Sequence, residues 1–401
     1  MKRTIARGAA ALLLLLAFAE PALARSDEVR LVDKLFLEGE LGVSVRTWTL
    51  RKDGSPDAKV FEIAAPARFR KPVGAHGDLV LELPGVWASI EEEEKSEYRG
   101  PADARLSASF RPGGAGTRVG IFVGIPIGAS KVGEEERAVA EAVADRMLGL
   151  PIKRFGEGLD VGASLVHGFA LPRSLALSAG GGYLRKGEYA FLGSGGAEDE
   201  YEPGDEIFLT AGIEGEWDGA MLFRAAADFR FRMFGTDKRS GEDFYEEGDE
   251  ADLLLDGMLA LAPGRRIDVR GFLVFKGEGS ERGAFGTGSI DSLSIERYLR
   301  RGMTGDYREF TAAYTHRVAG WIDLSAAARA ADFGEYAVAN SSSGAALLGS
   351  GRVFEIGGGA ETDLTARLRL LLRAARLFGE AEGGAVDLTG LDLGAAIRWN
   401  Y

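Results

Sequence analysis

Hydrophobic and polar residues alternate along most of this chain with a period of two. Between 223 and 233 the odd positions are apolar, whereas the even positions include Asp228 and three arginines. A helix would spread these charges around its circumference, but a strand places them all on one face. The same alternation recurs at 118–127, 206–217, 252–261 and 267–276. The pattern predicts an all-β chain.

Strand length and the spacing of the connections favour a transmembrane antiparallel β-barrel. Many predicted strands run for roughly 12–16 residues, whereas about 5–6 is the commonest length in soluble sheets. Connections after even strands are short and those after odd strands are mostly long and acidic, as in outer-membrane barrels. We predict about sixteen strands, with fourteen as the alternative, because Pro66 and Pro84 interrupt 57–92. The predicted strands are 36–51, 57–71, 78–92, 101–112, 117–127, 157–170, 174–191, 203–217, 219–235, 248–262, 266–278, 305–317, 321–334, 351–364, 367–380 and 386–401.

Aromatic residues cluster near the ends of the predicted strands. Amphipathic rings prefer the two membrane interfaces, so we expect two outward-facing belts. The belt at the short connections contains Trp217, Trp321, Trp399 and Tyr401, and the belt at the long connections contains Trp48, Trp87, Phe234, Tyr307, Phe333 and Phe378.

The first 24 residues have the features of a secretory signal peptide. Basic residues between Lys2 and Arg7 precede an apolar run over 9–19, and a small-residue cleavage pattern ends at Ala24. The run is shorter than the about 20 residues of a spanning helix, which disfavours a membrane anchor. We expect cleavage after Ala24 and an exported domain, 25–401, that forms the barrel.

The last strand carries the most specific signal. Positions 394–401 read GAAIRWNY, so Ile397, Trp399 and Tyr401 share one face. This resembles the C-terminal strand motif of Gram-negative outer-membrane β-barrel proteins, which their assembly machinery recognises. The resemblance implies that these three residues form an assembly signal. It also implies the outer membrane of a Gram-negative bacterium, with lipid, lipopolysaccharide and the barrel-assembly machinery as partners.

Composition narrows the chemistry. The chain has no cysteine, three histidines and a formal charge of -13. These values exclude thiol and Cys-ligated metal chemistry and disfavour nucleic acid as a partner. The histidines, His76, His167 and His316, fall near the short connections, so no base lies beside the long loops to activate a serine. We predict no enzyme activity, no catalytic residue, no metal site and no cofactor.

Charged positions on the inner face of the strands are candidates for a pore lining. Sixteen strands enclose an aqueous channel unless something fills it, and charged rings select solutes. The alternative is that these charges only pair across neighbouring strands and hold the shape of the barrel. The candidates are Arg224, Asp228, Arg230, Arg232, Arg367, Arg369, Arg373, Glu214 and Glu216.

The segment 128–156, after the fifth strand, predicts a loop that bears one short helix. Residues 134–148 begin with three glutamates, which suit the positive end of a helix, and carry an apolar stripe with a four-residue spacing. Such a long loop is usually functional, either as a constriction in the lumen or as a cap on the mouth. We expect its stripe to pack on an apolar wall such as Phe122 or to cover the path of an apolar ligand. The constriction candidates are Glu135, Glu136, Val139, Glu141, Val143 and Met147.

Two resemblances bear on function. The position of this loop resembles the constriction loop of general porins, although the loop motif of that family is absent. The IPIG sequence at 125–128 and the FGEG sequence at 155–158 are similar to channels related to hydrophobic-compound transporters. We expect passive passage of a small-molecule solute across the outer membrane. The alternatives are a hydrophobic-compound uptake channel and a plugged barrel that acts as an adhesion or scaffold protein. Solute identity and oligomeric state stay open.

Overall fold

Sixteen antiparallel strands form one closed barrel in the described part of the chain, and the fourth strand is in two pieces. The structure, a computed structural model, describes residues 38–91, 95–112, 116–128, 139, 147–152, 156, 158–172, 174–190, 200–218, 221–277, 279–281, 305–340, 344–348 and 350–400. The barrel strands are β1 (Glu38–Lys52), β2 (Ala58–Val73), β3 (Gly77–Glu91), β4 (Lys95–Pro101 and Ala104–Phe110), β5 (Thr117–Ile125), β6 (Asp160–Leu171), β7 (Leu175–Arg185), β8 (Glu206–Asp218), β9 (Leu222–Phe234), β10 (Glu250–Ala262), β11 (Arg265–Lys276), β12 (Tyr307–Ala319), β13 (Ile322–Phe333), β14 (Gly351–Thr365), β15 (Leu368–Ala381) and β16 (Val386–Asn400).

The ring closes between the first and the last strand. Every barrel strand pairs with its neighbour in the chain, and β1 pairs with β16 from Glu38↔Asn400 to Lys52↔Val386. The prediction of an all-β barrel of about sixteen strands is confirmed, and the alternative of fourteen is wrong. The predicted signal peptide, 1–24, lies outside the described residues, as does Tyr401.

Pro66 and Pro84, the reason for the fourteen-strand alternative, lie directly opposite each other in β2 and β3. Proline has no backbone N–H, so each removes one donor from a ladder. The pairing of β1 with β2 skips positions 42 and 43, beside Pro66. On the other side, β4 is interrupted at 102–103, where the Ala102 N–H donates to the Pro84 carbonyl oxygen at 2.9 Å. Both strands form because the two irregularities fall in different ladders.

Alternation gives the barrel an apolar outer face and a charged inner face. On β9, Phe223 and Phe229 point outward and are 42% and 44% exposed. Arg224, the residue after Phe223, points inward and forms an ion pair with Glu216 of β8. The outward side chains form the surface that hydrocarbon would cover.

Phe229→Arg is expected to destabilise the barrel by about 2 to 4 kcal/mol, because the charge would enter hydrocarbon near the middle of the strand. The control is Ala226→Arg on the inner face of β9, where the cross-strand neighbours are Glu214 and Asp256. Urea unfolding in lipid bilayers measures both variants. Equal losses of stability would contradict this assignment of the faces.

The predicted aromatic belt at the long connections is wrong at four positions. Trp48, Phe234, Tyr307 and Phe333 lie on the inner face, and Trp48, Tyr307 and Phe333 are only 1%, 5% and 2% exposed. Phe378 lies on the outer face. The presence of an aromatic residue at a strand end does not show whether its ring faces lipid or the lumen. These four rings face inward, where they contact other side chains of the barrel.

Four long connections continue as a second sheet beyond the barrel rim. Its seven strands are Tyr189–Ala190, Glu200–Glu202, Thr236–Arg239, Glu242–Glu246, Gly279–Glu281, Tyr336–Asn340 and Gly344–Leu348. Tyr201 and Tyr245 are buried in it, and Asp237 accepts hydrogen bonds from the Tyr201 hydroxyl and, at 2.6 Å, from the Gly204 N–H. Hydrogen bonds therefore tie these loops to one another.

The predicted short helix is not confirmed. The described residues contain a 3₁₀ turn, Glu382–Gly384, and no α-helix with both ends defined. Most of 134–148, including Glu135, Glu136, Glu141 and Val143, lies outside the described residues. Nowhere in the described ranges does a helix reach the length and hydrophobicity that crossing a membrane requires.

Candidate functional site

The interruption in β4 supplies an anchor for the long connection between β5 and β6. Asp103, inside the interruption, accepts hydrogen bonds at Oδ1 from the N–H groups of Gly128 at 3.0 Å and Gly156 at 2.9 Å. Gly156 has a φ of 76°, a conformation that residues with a Cβ rarely adopt. One carboxylate thus holds the two ends of this connection together. Asp103 is absent from the predicted site residues. The only indication of it in the sequence is Pro84 on the neighbouring strand, because a proline there can interrupt the ladder beside Asp103.

Asp103→Ala is expected to loosen the base of the loop, since each lost hydrogen bond to a charged group is worth about 1.5 to 3 kcal/mol. Limited proteolysis within 129–155 should become faster, and the open-channel current noisier. Asp103→Asn keeps an acceptor oxygen and should change both quantities less. Wild-type behaviour of Asp103→Ala in both assays would show that the carboxylate is not an anchor.

Residues 147–152 of the same loop dock inside the barrel on β1. The Trp48 Nε1–H donates to the Leu148 carbonyl oxygen at 2.7 Å, and Arg46 Nη1 donates to the Gly149 carbonyl oxygen at 2.5 Å. Both side chains point inward from β1, two residues apart. Two loop carbonyl groups are therefore satisfied by the barrel wall rather than by water.

Glu62 of β2 holds the other end of the docked segment. Its carboxylate is completely buried, and Oε1 accepts a hydrogen bond from the Ile152 N–H at 3.1 Å. Pro151, beside it, lines a cavity of about 880 Å³ in the lumen. The loop therefore forms part of the lumen surface, on the side of β1 and β2.

The docked segment completes a buried apolar cluster in the half of the lumen nearest the long loops. Val139 and Met147 are 1% and 9% exposed and pack with inward side chains of β1–β4 and β11–β16. The Met147 Sδ is 2.5 Å from the position of a Cβ on Gly351, so a side chain there would collide with it. Val139 and Met147 of the predicted stripe thus pack on an apolar wall, as expected. Phe122, the residue suggested for that wall, is not part of it, because its ring lies over Gly162. The barrel residues of the cluster are Trp48, Val60, Val86, Ala88, Tyr98, Ala102, Val274, Tyr307, Ala331, Phe333, Val353, Leu377, Ala381, Val386 and Leu388.

A chain of ion pairs follows the wall next to this cluster. Arg46 pairs with Asp392 at 2.5 Å and with Glu355 at 3.7 Å. Glu355 continues to Arg329 at 3.6 Å, and Arg329 to Glu309 at 2.8 Å. Because Arg46 also binds the loop carbonyl groups, it joins the docked segment to charges on four other strands.

Most of the predicted pore-lining arginines are paired. Arg367 lies in the turn at 366–367 rather than on the wall. Arg230 has its guanidinium 5.5 Å from the Phe208 ring. Asp228 lies beside Gly212, and Glu214 and Glu216 line a cavity of about 890 Å³. The remaining four arginines pair with neighbouring strands: Arg224 with Glu216, Arg232 with Glu250 and Asp252, Arg369 with Glu361 and Asp363, and Arg373 with Asp392.

The described residues of the predicted assembly signal lie on the outer face of β16. The Trp399 ring covers Gly39 of β1 and meets Phe69 of β2 edge-on at 6.0 Å between centroids. Ile397 lies opposite Leu41 of β1, which is 49% exposed on the same face. The terminal strand therefore presents an apolar surface outward.

Comparisons with known proteins return solved structures only. No family model matches the chain, and no curated protein matches it. The chain is similar to OpdQ of Pseudomonas aeruginosa, with 10% identity and a TM-score of 0.42 over 90% of this chain and 97% of the other. It is similar to OccK7 (OpdD) of the same organism, with 11% identity and a TM-score of 0.39 over 90% and 98% of the two chains. A mutant of the Rh. blastica porin matches with 11% identity and a TM-score of 0.35 over 90% and 100%.

Proposed function

We propose that this protein is an outer-membrane channel for the passive passage of small polar solutes. The observation that carries the proposal is the segment 147–152, which docks inside a closed barrel of sixteen strands and becomes part of the lumen surface. A barrel of this size leaves an aqueous channel. A loop fixed to one side of the lumen narrows that channel without closing the barrel, with Glu135, Glu136, Glu141 and Val143 as its proposed constriction residues. Val139 and Met147, buried in the apolar cluster, fix the loop to the wall instead.

The chemistry of the lumen favours polar over hydrophobic solutes. The apolar cluster around the docked segment is packed, with each member at most 9% exposed, so its described side chains offer no surface to an apolar ligand. The cavities along the wall carry charged and hydroxyl side chains among small and apolar ones. Ion pairs across strands stabilise the wall, and the charges left without a carboxylate partner can act on the solute.

The same proposal includes the location and assembly of the protein. The signal peptide would direct export of the chain and be cleaved after Ala24, and the barrel-assembly machinery would recognise Ile397, Trp399 and Tyr401. The outward apolar face, with side chains such as Phe229 and Leu393, suits contact with lipid and lipopolysaccharide.

Recording in a planar lipid bilayer tests this function. The purified, heat-modifiable protein should produce stepwise conductance increases in KCl, and vesicles that contain it should swell in small sugars. A folded barrel that neither conducts nor swells vesicles would overturn the proposal and leave the plugged adhesion or scaffold barrel. Uptake of an apolar compound without ion conductance would favour the hydrophobic-compound channel.

A further inference from the structure

Two inward-facing arginines of the described strands have no carboxylate partner among the described residues. Arg105 of β4 and Arg230 of β9 have no such carboxylate oxygen within 4 Å, whereas neighbours such as Arg270 are paired, in that case with Asp256 at 2.7 Å. An unpaired guanidinium keeps all its N–H donors available for a ligand.

Both arginines are held in the same way. The Arg105 guanidinium lies 5.4 Å from the centroid of Phe122 on the next strand, and Arg230 lies 5.5 Å from Phe208. Both distances fall in the range of cation–π attraction. Each ring in turn lies over a glycine of the strand beyond it, Gly162 for Phe122 and Gly182 for Phe208, where a Cβ would collide with ring carbons. Each arginine is therefore positioned by an aromatic ring instead of a carboxylate.

The surroundings of Arg105 are rich in hydrogen-bond donors. It lines a lumen cavity of about 570 Å³ with Arg118 and the hydroxyl groups of Ser107, Ser109 and Ser164. Arg118 Nη2 donates to the Ser109 Oγ at 2.8 Å, and its closest carboxylate, that of Asp78, is 3.8 Å away. Two guanidinium groups and three hydroxyl groups therefore line one cavity along the wall formed by β4, β5 and β6.

The carboxylates of this cavity already have partners. Arg70 binds Glu38 at 2.9 Å and Asp78 at 2.8 Å, and Arg398 binds Glu40 at 2.7 Å. The cavity is lined by five arginines and three carboxylates, so its net charge is positive, although the whole chain carries -13. The cavity beside β8–β12 has the opposite balance, with two arginines and five carboxylates.

We propose that the β4–β6 wall contains a binding site for the oxyanion group of a permeating solute, a carboxylate or a phosphate, with Arg105 and Arg118 as its charged ligands. Guanidinium groups suit such oxygens because their donors match them in pairs. The site rests on the proposed channel function and names the class of solute that the lumen selects. Arg230, on β9, does not line this cavity and is not part of the site.

The test is block of the chloride current by added oxyanions in a planar bilayer. Inorganic phosphate and acetate are titrated separately against the wild type, Arg105→Gln, Arg118→Gln and the control Arg270→Gln, which removes the same charge from a paired arginine. Arg105→Gln and Arg118→Gln should each weaken the block about tenfold, the loss expected for one charge-assisted hydrogen bond. They should also lower the anion preference in the reversal potential more than Arg270→Gln does.

Each outcome has one meaning. Block by both anions shows that the site binds any oxyanion group. Block by phosphate alone shows that the site prefers the dianion. A conducting channel in which neither anion blocks, or in which all three variants weaken the block equally, overturns the oxyanion site and leaves the channel function standing. Heat-modifiability of each variant shows whether the barrel has folded. If Arg105→Gln fails to fold, Arg118→Gln repeats the test, because it leaves the contact between Arg105 and Phe122 in place.

Discussion

Deletion of residues 131–150 is expected to raise the single-channel conductance severalfold and to admit larger solutes. The docked part of this loop lies on the inner faces of β1 and β2, and sixteen strands without it enclose a space wider than wall side chains can fill. The barrel should still fold, because the closed ladder contains no residue of 131–150. The retained Asp103 clamp also keeps Gly128 and Gly156 close enough for a short linker.

The control for this deletion is the removal of 192–198 from the connection after β7, which leaves the docked segment intact. We expect its conductance to match the wild type. Conductance and vesicle swelling in sugars of increasing size are measured for both deletions after heat-modifiability has been checked. If the 131–150 deletion folds and its conductance is unchanged, the loop does not limit the pore.

Arg46→Leu is expected to destabilise the barrel far more than the loss of an exposed ion pair on the inner face. It leaves Asp392, 3% exposed at its side chain, with only the 3.5 Å contact to the more exposed Arg373, and it removes the donor of the Gly149 carbonyl oxygen. Breaking a buried pair on one side costs about 3 to 5 kcal/mol, because the remaining charge stays buried. The docked segment should also be released, so conductance should rise towards that of the loop deletion.

Urea unfolding of Arg46→Leu is compared with Arg398→Leu, which removes an arginine from the neighbouring part of the lumen. The Arg398–Glu40 pair is 50% and 38% exposed, and such exposed pairs contribute about 0 to 1 kcal/mol. A double variant, Arg46→Leu with Asp392→Leu, should recover part of the loss because the buried carboxylate is removed together with its closest partner. Similar losses for Arg46→Leu and Arg398→Leu would contradict the role given to Arg46.

The barrel could be predicted from the sequence because its determinants are local. Period-two alternation places Phe229 outward and Arg224 inward whatever the neighbouring strand is, and the short turns set the antiparallel order. Pro66 and Pro84 suggest from the sequence that a strand is missing. The backbone N–H groups that the two prolines lack belong to different ladders, however, and only the register between β2 and β3 reveals this.

The site depends on contacts between distant parts of the chain, which local patterns do not contain. Arg46 and Asp392 are 346 residues apart, and the Trp48 indole meets the Leu148 carbonyl group 100 residues away. Sequence alone therefore favours an interface belt for Trp48, because nothing near it in the chain shows that a loop supplies its acceptor. The apolar stripe that contains Val139 does indicate a surface that needs an apolar partner. The sequence does not identify this partner, because the contacting residues come from strands near both ends of the chain.

Cross-linking of the docked segment tests the central claim, that this segment lies inside the lumen of the conducting barrel, most directly. The chain has no cysteine, so Met147→Cys with Val353→Cys introduces a single pair within the apolar cluster, beside the Met147–Gly351 contact. The control is Met147→Cys with Ser178→Cys on β7. A short bifunctional thiol reagent should link the first pair and not the control in the assembled protein, and the linked channel should conduct like the unlinked one. No link in the first pair, or a conductance that falls when the link forms, would show that the loop of the conducting channel lies elsewhere.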